Sequence, residues 1–352
     1  SYLVRVYAWK LILAKEGIEA STIPVDKHGD ALRAMVPAGS GQSNRPIMLL
    51  GHRDTVFPEG ETTRRPFRIE NGRAYGPGVA DMKAGLVMNA FVLAAFAKFG
   101  GAPAPLVGLF TGDEEIGSPT SRPIIEAEAR QARLVFNSEP GRPSGNVVTS
   151  RKGGIFWQAE VHGVAAHAGG AFEKGRSAIL ELARKIQAWH ELVDLDAGIT
   201  VNVGLISGGQ SVNTVAPHAA CEIDVRYVKP ADRDAVVERI RAVAERCTVP
   251  DTTGRVTIRS EFNPLAQTAA SDKVFEHYVG AARAVGLDVK GEFAGGCADS
   301  GFTAAVGTPT LCATGPVGGN AHSPEEYLEV ASVVPRAQAL ALSILRSEAI
   351  AF

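Results

Sequence analysis

Pro46-Ile-Met-Leu-Leu-Gly-His-Arg-Asp54 is a short apolar run that stops abruptly on an imidazole, a guanidinium and a carboxylate. A run of this length, apolar at nearly every position, reads as a buried strand. Two further runs share the design: Pro105-Leu-Val-Gly-Leu-Phe-Thr111 delivers Gly112-Asp-Glu-Glu115, and Leu134-Val-Phe-Asn137 delivers Ser138-Glu-Pro140. Between the first two, the stretch from Met82 to Phe99 places small and apolar residues at helical spacing and stops at Gly100-Gly101. Strands alternating with helices predict an α/β layered domain, and in open sheets of that kind the ligand crevice lies outside the carboxyl ends of the strands. Three predicted strands end in acidic or imidazole side chains there.

Beyond about Arg151 the rhythm changes. Ile155 to Val161 reads as a strand, Arg176 to Leu192 as a helix, Ile199 to Ile206 and Ala219 to Val228 as strands, Ala231 to Cys247 as a helix and Gly254 to Glu261 as a strand. This βαββαβ order is the ferredoxin-like pattern, a small domain complete in itself. Helix (Ser271 to Val285), strand (Pro309 to Ala313) and a long apolar-striped helix (Glu329 to Leu345) then resume. The reading is a first domain built from residues 1–150 and 264–352, with residues 151–263 inserted as a lid or dimerisation arm.

Composition excludes several function classes. With 36 basic against 38 acidic residues, the chain lacks the basic excess of a nucleic-acid protein, so no nucleic-acid partner is expected. The four cysteines, Cys221, Cys247, Cys297 and Cys312, form no CxxC pair, which argues against a thiolate zinc site or a disulfide framework and reads as small buried side chains. No apolar run is counted as long enough to span a bilayer, and no leader opens the chain. No membrane partner and a cytoplasmic location are the expectations; a processed secreted or periplasmic form would read the same way.

Five positions place a metal-competent side chain at a strand end or in a glycine-rich loop: His52, Asp81, the pair Glu114-Glu115, Glu139 and His322. Alone, each has an ordinary structural explanation; Asp81, for instance, would cap a helix starting near Met82. Together they match what two neighbouring divalent ions require, about four to five nitrogen and oxygen ligands with one bridging carboxylate. His52, Asp81, Glu115, Glu139 and His322 supply two imidazoles and three carboxylates. Glu114 is left over beside a ligand, where a general base belongs. Asp54 stands two residues after His52, placed to accept the second ring N–H of that histidine, or simply to form a turn before Thr55.

Seven strings in order then resemble the di-zinc exopeptidase family that includes glutamate carboxypeptidase, aminoacylase, acetylornithine deacetylase and succinyl-diaminopimelate desuccinylase. They are Gly51-His-Arg-Asp-Thr55, Tyr75-Gly-Pro-Gly-Val-Ala-Asp-Met-Lys83, Thr111-Gly-Asp-Glu-Glu-Ile-Gly117, Ser138-Glu-Pro140, Ala166-His-Ala168, Asp224-Val-Arg-Tyr227 and Asn320-Ala-His-Ser323. The chain is most similar in appearance to the glutamate carboxypeptidases. The resemblance implies a zinc-exopeptidase-like catalytic domain, a mixed sheet with flanking helices, carrying the inserted ferredoxin-like domain through which two copies form a homodimer.

It also implies roles. Asp81 bridges two zinc ions, for which cobalt or manganese could substitute; His52 and Glu139 complete one site, Glu115 and His322 the other. Glu114 is the general base, and the Asp81-Met82 peptide is cis. His167 steadies the oxyanion of the tetrahedral intermediate. Arg226 and Asn213 hold the substrate's free carboxylate and nearby polar atoms, and Gly295-Gly-Cys-Ala-Asp-Ser300 is the loop beside the substrate, with Gly296 in contact with it and Cys297 at the pocket. The implied activity is hydrolysis of the amide bond of an N-acyl amino acid or small peptide with a free carboxylate. A deacetylase or desuccinylase of small N-acyl amines is the alternative, and a non-catalytic binder of amino-acid conjugates a remote one. The glutamate-specific members carry a lysine near the end of the loop matching Gly141-Arg-Pro-Ser-Gly-Asn-Val147, and this chain has none there, so the resemblance leaves glutamate specificity open. Arg142 and Arg151 are the basic residues nearest that place.

Overall fold

A computed structural model describes residues 2–39 and 43–352, with side chains from Val6 onward. The chain divides into two compact units, Ser1–Arg151 with Leu265–Phe352, and Lys152–Pro264.

The first unit is built on an eight-stranded mixed sheet. Its middle is parallel: Ile47–His52 lies between Leu106–Thr111 and Leu134–Asn137, and Thr310–Cys312 follows on the far side of Leu134–Asn137. Every residue of the first three of these strands is buried, which is why they read as unbroken apolar runs. Register pairs His52 with Thr111 and Leu50 with Asn137, so the chemistry-bearing loops leave the sheet from one end. Antiparallel strands Ala31–Val36 and Glu19–Ile23 extend one side, and Val147–Arg151 with Gly291–Ala294 the other. A separate four-stranded sheet joins Arg68–Glu70 and Arg73–Tyr75 to Tyr327–Glu329 and Gly318–Gly319, drawing two distant parts of the chain together.

The helix begins at Ala84, not Met82, and runs to Lys98. Gly85 lets it approach the loop after Leu134–Asn137: a Cβ there would stand 2.0 Å from the Ser138 carbonyl oxygen. The segment Val79–Lys98 is long and apolar enough to cross a membrane by length and composition, which corrects the count made from sequence. Most of it, including Leu86, Met88 and Leu93, is instead packed inside the protein. The strand Tyr327–Glu329 takes the start of the segment read as one helix; Glu329 donates its N–H to the Val317 carbonyl, and the helix spans Val333–Leu345.

The second unit has the order Gly153–His162, Ala178–His190, Thr200–Gly208, His218–Tyr227, Arg233–Glu245, Thr253–Phe262, a βαββαβ sequence. Its four antiparallel strands run with Thr200–Gly208 at one edge and Thr253–Phe262 at the other. Alternate residues of Gly153–His162 (Ile155, Trp157, Ala159 and Val161) face the two helices and form the core with Leu182, Trp189 and Ile240. Of the four cysteines, Cys221 and Cys312 are buried while Cys247 and Cys297 are only partly so, and all are free thiols.

Candidate active site

The parallel strands deliver the acidic and imidazole side chains to one place. His52 closes Ile47–His52, its ring nearly inaccessible, with Nε2 3.1 Å from Asp81 Oδ1 and 3.7 Å from Glu139 Oε1. Asp81 presents its other oxygen elsewhere: Oδ2 lies 3.2 Å from His322 Nε2, which is in turn 3.1 Å from Glu115 Oε2. One carboxylate thus faces two imidazoles, one per oxygen. The Asp81-Met82 peptide is cis. Asp81 does not cap the helix; its carboxylate is spent on the histidines.

Asp54 meets His52 from behind. Its Oδ1 is 3.4 Å and its carbonyl oxygen 3.3 Å from His52 Nδ1, while Oδ2 accepts the Glu115 N–H at 2.9 Å. Glu114 Oε2 stands 3.8 Å from His52 Nε2, almost as near as Glu139, so distance to this ring does not separate the two glutamates.

The electrostatics are those of a site built around positive charge. Burial pushes the Glu114 carboxyl well above its ordinary range, with Glu139, Asp299 and Glu115 adding like charge. Burial and then Asp81 lift Glu139 to about 7. Burial opposes ionisation of Asp81, yet hydrogen bonds from His322 and His52 hold it below the usual carboxylate range. Hydrogen bonds to Asp81 and Glu115 raise the His322 imidazole to about 10, and His52 is raised against its own burial by Glu114, Asp54 and Asp81. Glu115 Oε1 and Glu139 Oε1 are buried without a hydrogen-bond partner. A divalent cation answers both features: it neutralises the crowded carboxylates and coordinates the orphaned oxygens. Among the described residues, His52, Asp81 and Glu115 bring donor atoms that all lie within 4.8 Å of one another. The donor set fits.

Comparison with known proteins decides the family. The profile of peptidase family M20/M25/M40 matches residues 48–346. The chain belongs to this family. Its relatives include carboxypeptidase G2 of Pseudomonas sp. (strain RS-16), 30% identical over 303 residues, covering 84% of this chain and 72% of that protein. Acetylornithine deacetylase of Myxococcus xanthus is 32% identical over 204 residues, 54% of this chain and 52% of that one. The M20 metallo-carboxypeptidase of Sulfolobus solfataricus superposes with a TM-score of 0.80 at 18% identity, covering 98% of this chain and 93% of that chain. The aminopeptidase PepT of Bacillus cereus does so at 0.75 and 22%, covering 97% and 92%. These likenesses in shape show the shared fold. As an M20 enzyme, the protein is a hydrolase of a metal-dependent family.

In this M20 chain three buried groups support the cluster: Glu326 and Asp113, to which the sequence reading gave no part, and Arg151, which it named only as a basic residue near the loop after Glu139. Glu326, fully buried, accepts the N–H groups of Gly78 at 2.8 Å and of Ala80 and Asp81 at 2.9 Å, fixing the loop that aims Asp81. Asp113 binds Thr120 and Ser121 through backbone and hydroxyl groups. Arg151 donates to the Gly296 and Cys297 carbonyl oxygens at 3.2 and 3.4 Å and to Cys312 Sγ, and its charge is felt at Glu139. Gly296 thus enters this structure through its carbonyl, held by Arg151.

Within the second unit, His167 is exposed, and its Nδ1 accepts the N–H groups of Gly169 and Gly170 at 3.2 and 3.0 Å. With Nδ1 an acceptor, the proton of the neutral ring sits on Nε2, which becomes an outward donor. Asn213 lies on the adjoining loop, where its carbonyl takes the Ala168 N–H at 2.9 Å and its Oδ1 the Ser211 hydroxyl at 2.9 Å. Arg226 is forked onto Asp224, Nε to Oδ1 at 2.6 Å and Nη2 to Oδ2 at 2.8 Å, and stacks 4.9 Å from the Phe156 ring centre. The structure therefore gives Arg226 a carboxylate within the chain itself, the ordinary structural alternative to a carboxylate on a substrate.

Proposed function

We propose that the protein hydrolyses the amide bond of an N-acyl amino acid or small peptide with a free carboxylate, using a pair of zinc ions held by His52, Asp81, Glu115, Glu139 and His322. The observation that carries this reading is the Asp81 carboxylate, whose two oxygens meet different imidazoles at 3.1 and 3.2 Å, the arrangement of a bridging ligand. When bound, such ions polarise the scissile carbonyl and acidify the attacking water. Glu114 takes that water's proton and returns it to the departing amine nitrogen. Asp54 holds the His52 ring and the Glu115 backbone in place. His167, with its proton on Nε2, is suited to meet a developing oxyanion, and Arg226, once shared with a substrate carboxylate, is suited to orient it. Glu114 as base rather than ligand rests on the ligand count and on family likeness.

The amide and carboxylate parts of the reading draw on the relative named a carboxypeptidase. The relative named acetylornithine deacetylase favours a second reading, removal of an acyl group from a small N-acyl amine. A panel of N-acyl amino acids, dipeptides and N-acetyl or N-succinyl amines, assayed with zinc, cobalt or manganese and paired with metal analysis, separates them. Two equivalents of metal per chain and turnover confined to substrates with a free carboxylate are expected. Equal turnover of amines lacking the carboxylate favours the second reading; binding without turnover of any of them leaves only a binder.

The homodimer belongs to the same proposal. The edge strand Thr200–Gly208 carries Leu205 and Ile206 at 64% and 63% exposure beside unpaired backbone groups, a surface suited to pairing with a second copy. Sedimentation velocity at micromolar concentration is expected to report a dimer that Ile206→Asp converts to a monomer. A monomeric parent would refute it.

A further inference from the structure

The turn from Thr111 to Ser118 carries both Glu114 and Glu115, and one buried side chain from a distant part of the sequence grips it at each end. Asp299, 1% exposed at the close of the loop Gly295-Gly-Cys-Ala-Asp299, accepts the Ser118 hydroxyl on Oδ1 at 2.5 Å and the Thr111 hydroxyl on Oδ2 at 3.4 Å. Ser118 is itself fully buried and adopts a positive φ of 50°, and its N–H closes back onto the Asp113 carbonyl. Its hydroxyl therefore has little freedom to turn elsewhere. Asp113 secures the following residues, Thr120 and Ser121, and Asp54 takes the Glu115 N–H in the middle of the turn, so that Asp299 is the side chain that holds its two ends. A buried carboxylate beside so many acids is costly, and burial lifts Asp299 to about 7. On the other flank of the same glycine-rich loop, Arg151 holds the Gly296 and Cys297 carbonyls.

We infer that Asp299 is a positioning residue: by tying Thr111 and Ser118 to the glycine-rich loop it sets the place of the Glu114-Glu115 turn, so that the loop beside the substrate and the turn bearing the proposed base move as one piece. The inference rests on the reading of Glu114 as the base. Its effect belongs to the orientation of a reacting group, where a displacement of about 1 Å can cost about a hundredfold in rate.

The test is a set of variants of the full chain, compared by kcat, KM, metal content and melting temperature. Asp299→Ala is expected to lower kcat by about 30-fold to 100-fold with KM little changed and metal retained. Asp299→Asn keeps an acceptor for Ser118 and a donor for Thr111 and is expected to recover most of that loss. Ser118→Gly, which suits the positive φ while removing the hydroxyl, is expected to lower kcat about tenfold and to add little to Asp299→Ala. Should Asp299→Ala fail to fold, Ser118→Gly and Asp299→Asn carry the comparison. An unchanged kcat in Ser118→Gly, or a loss confined to melting temperature or metal content, overturns the inference. Normal turnover in Glu114→Gln would instead remove the reading beneath it, so the two failures are distinguishable.

Discussion

Glu114→Gln is expected to bind its full complement of metal and to lose about 10²- to 10⁴-fold in kcat, the range a positioned general base contributes. The substitution keeps the volume of a side chain that is only 7% exposed, so packing should survive. What it removes is the ability to accept a proton. Glu114 and Glu139 stand almost equally far from His52 Nε2, at 3.8 and 3.7 Å, so the paired variant Glu139→Gln is the informative control. If the division of labour proposed above is right, Glu139→Gln loses metal and activity together, while Glu114→Gln loses activity alone. The reverse pattern would exchange the two roles, and near-normal turnover in Glu114→Gln would sink the mechanism. Both assays are needed, since rate alone cannot tell an absent base from an absent metal.

Lys185→Met is expected to destabilise the second unit by about 3 to 5 kcal/mol, the cost of breaking a buried ion pair by removing one partner. Lys185 Nζ lies 3.0 Å from Glu181 Oε1, and the two residues are 3% and 0% exposed. Nζ also donates to the Val243, Ala244 and Arg246 carbonyls at 3.0, 2.8 and 2.7 Å, closing the carboxyl end of helix Arg233–Glu245. Glu181 in turn accepts the Thr248 and Val249 N–H groups and the Thr248 hydroxyl. Methionine would fill the space but leave Glu181 charged and without its cation, and three carbonyls without that donor. Urea unfolding followed by tryptophan fluorescence reports on this unit, because Trp157 and Trp189 are both in its core. A midpoint within error of the parent would show that Glu181 finds compensation elsewhere. The double variant Lys185→Met, Glu181→Leu, which removes both charges, is expected to regain much of the loss.

Legibility followed burial. The central strands could be read because the sheet covers both their faces, turning Ile47 to Leu50 and Leu106 to Phe110 into near-continuous apolar runs. Glu19–Ile23 and Arg68–Glu70, exposed or half-exposed, carry no such run, and the sequence reading passed over both. Gly318–Gly319 is a strand only because Tyr327–Glu329 lies beside it. The count of membrane-length runs missed Val79–Lys98, whose apolar length matches that of a membrane helix because most of it is buried in a protein core.

The site divides in the same manner. His52, Asp81, Glu115, Glu139 and His322 were legible because strand ends and glycine-rich loops are where a sheet presents reactive groups, and because their number matched a ligand count. Glu326, Asp113 and Asp299 were not, since an acid that binds backbone amides or buried hydroxyls is written with the same letter as one in solvent. By itself, then, the sequence determined the alternation of buried strands and helices, the inserted βαββαβ unit and the residue types of the metal-competent cluster, all matters of local periodicity and composition. Only the tertiary structure decided that Asp81 splits its oxygens between His52 and His322, that Arg226 is forked onto Asp224, and that Glu326 and Asp299 anchor the loops bearing the acids. Those are contacts between residues far apart in the chain, or choices among competing partners, and such choices are settled by which groups burial brings within hydrogen-bonding distance.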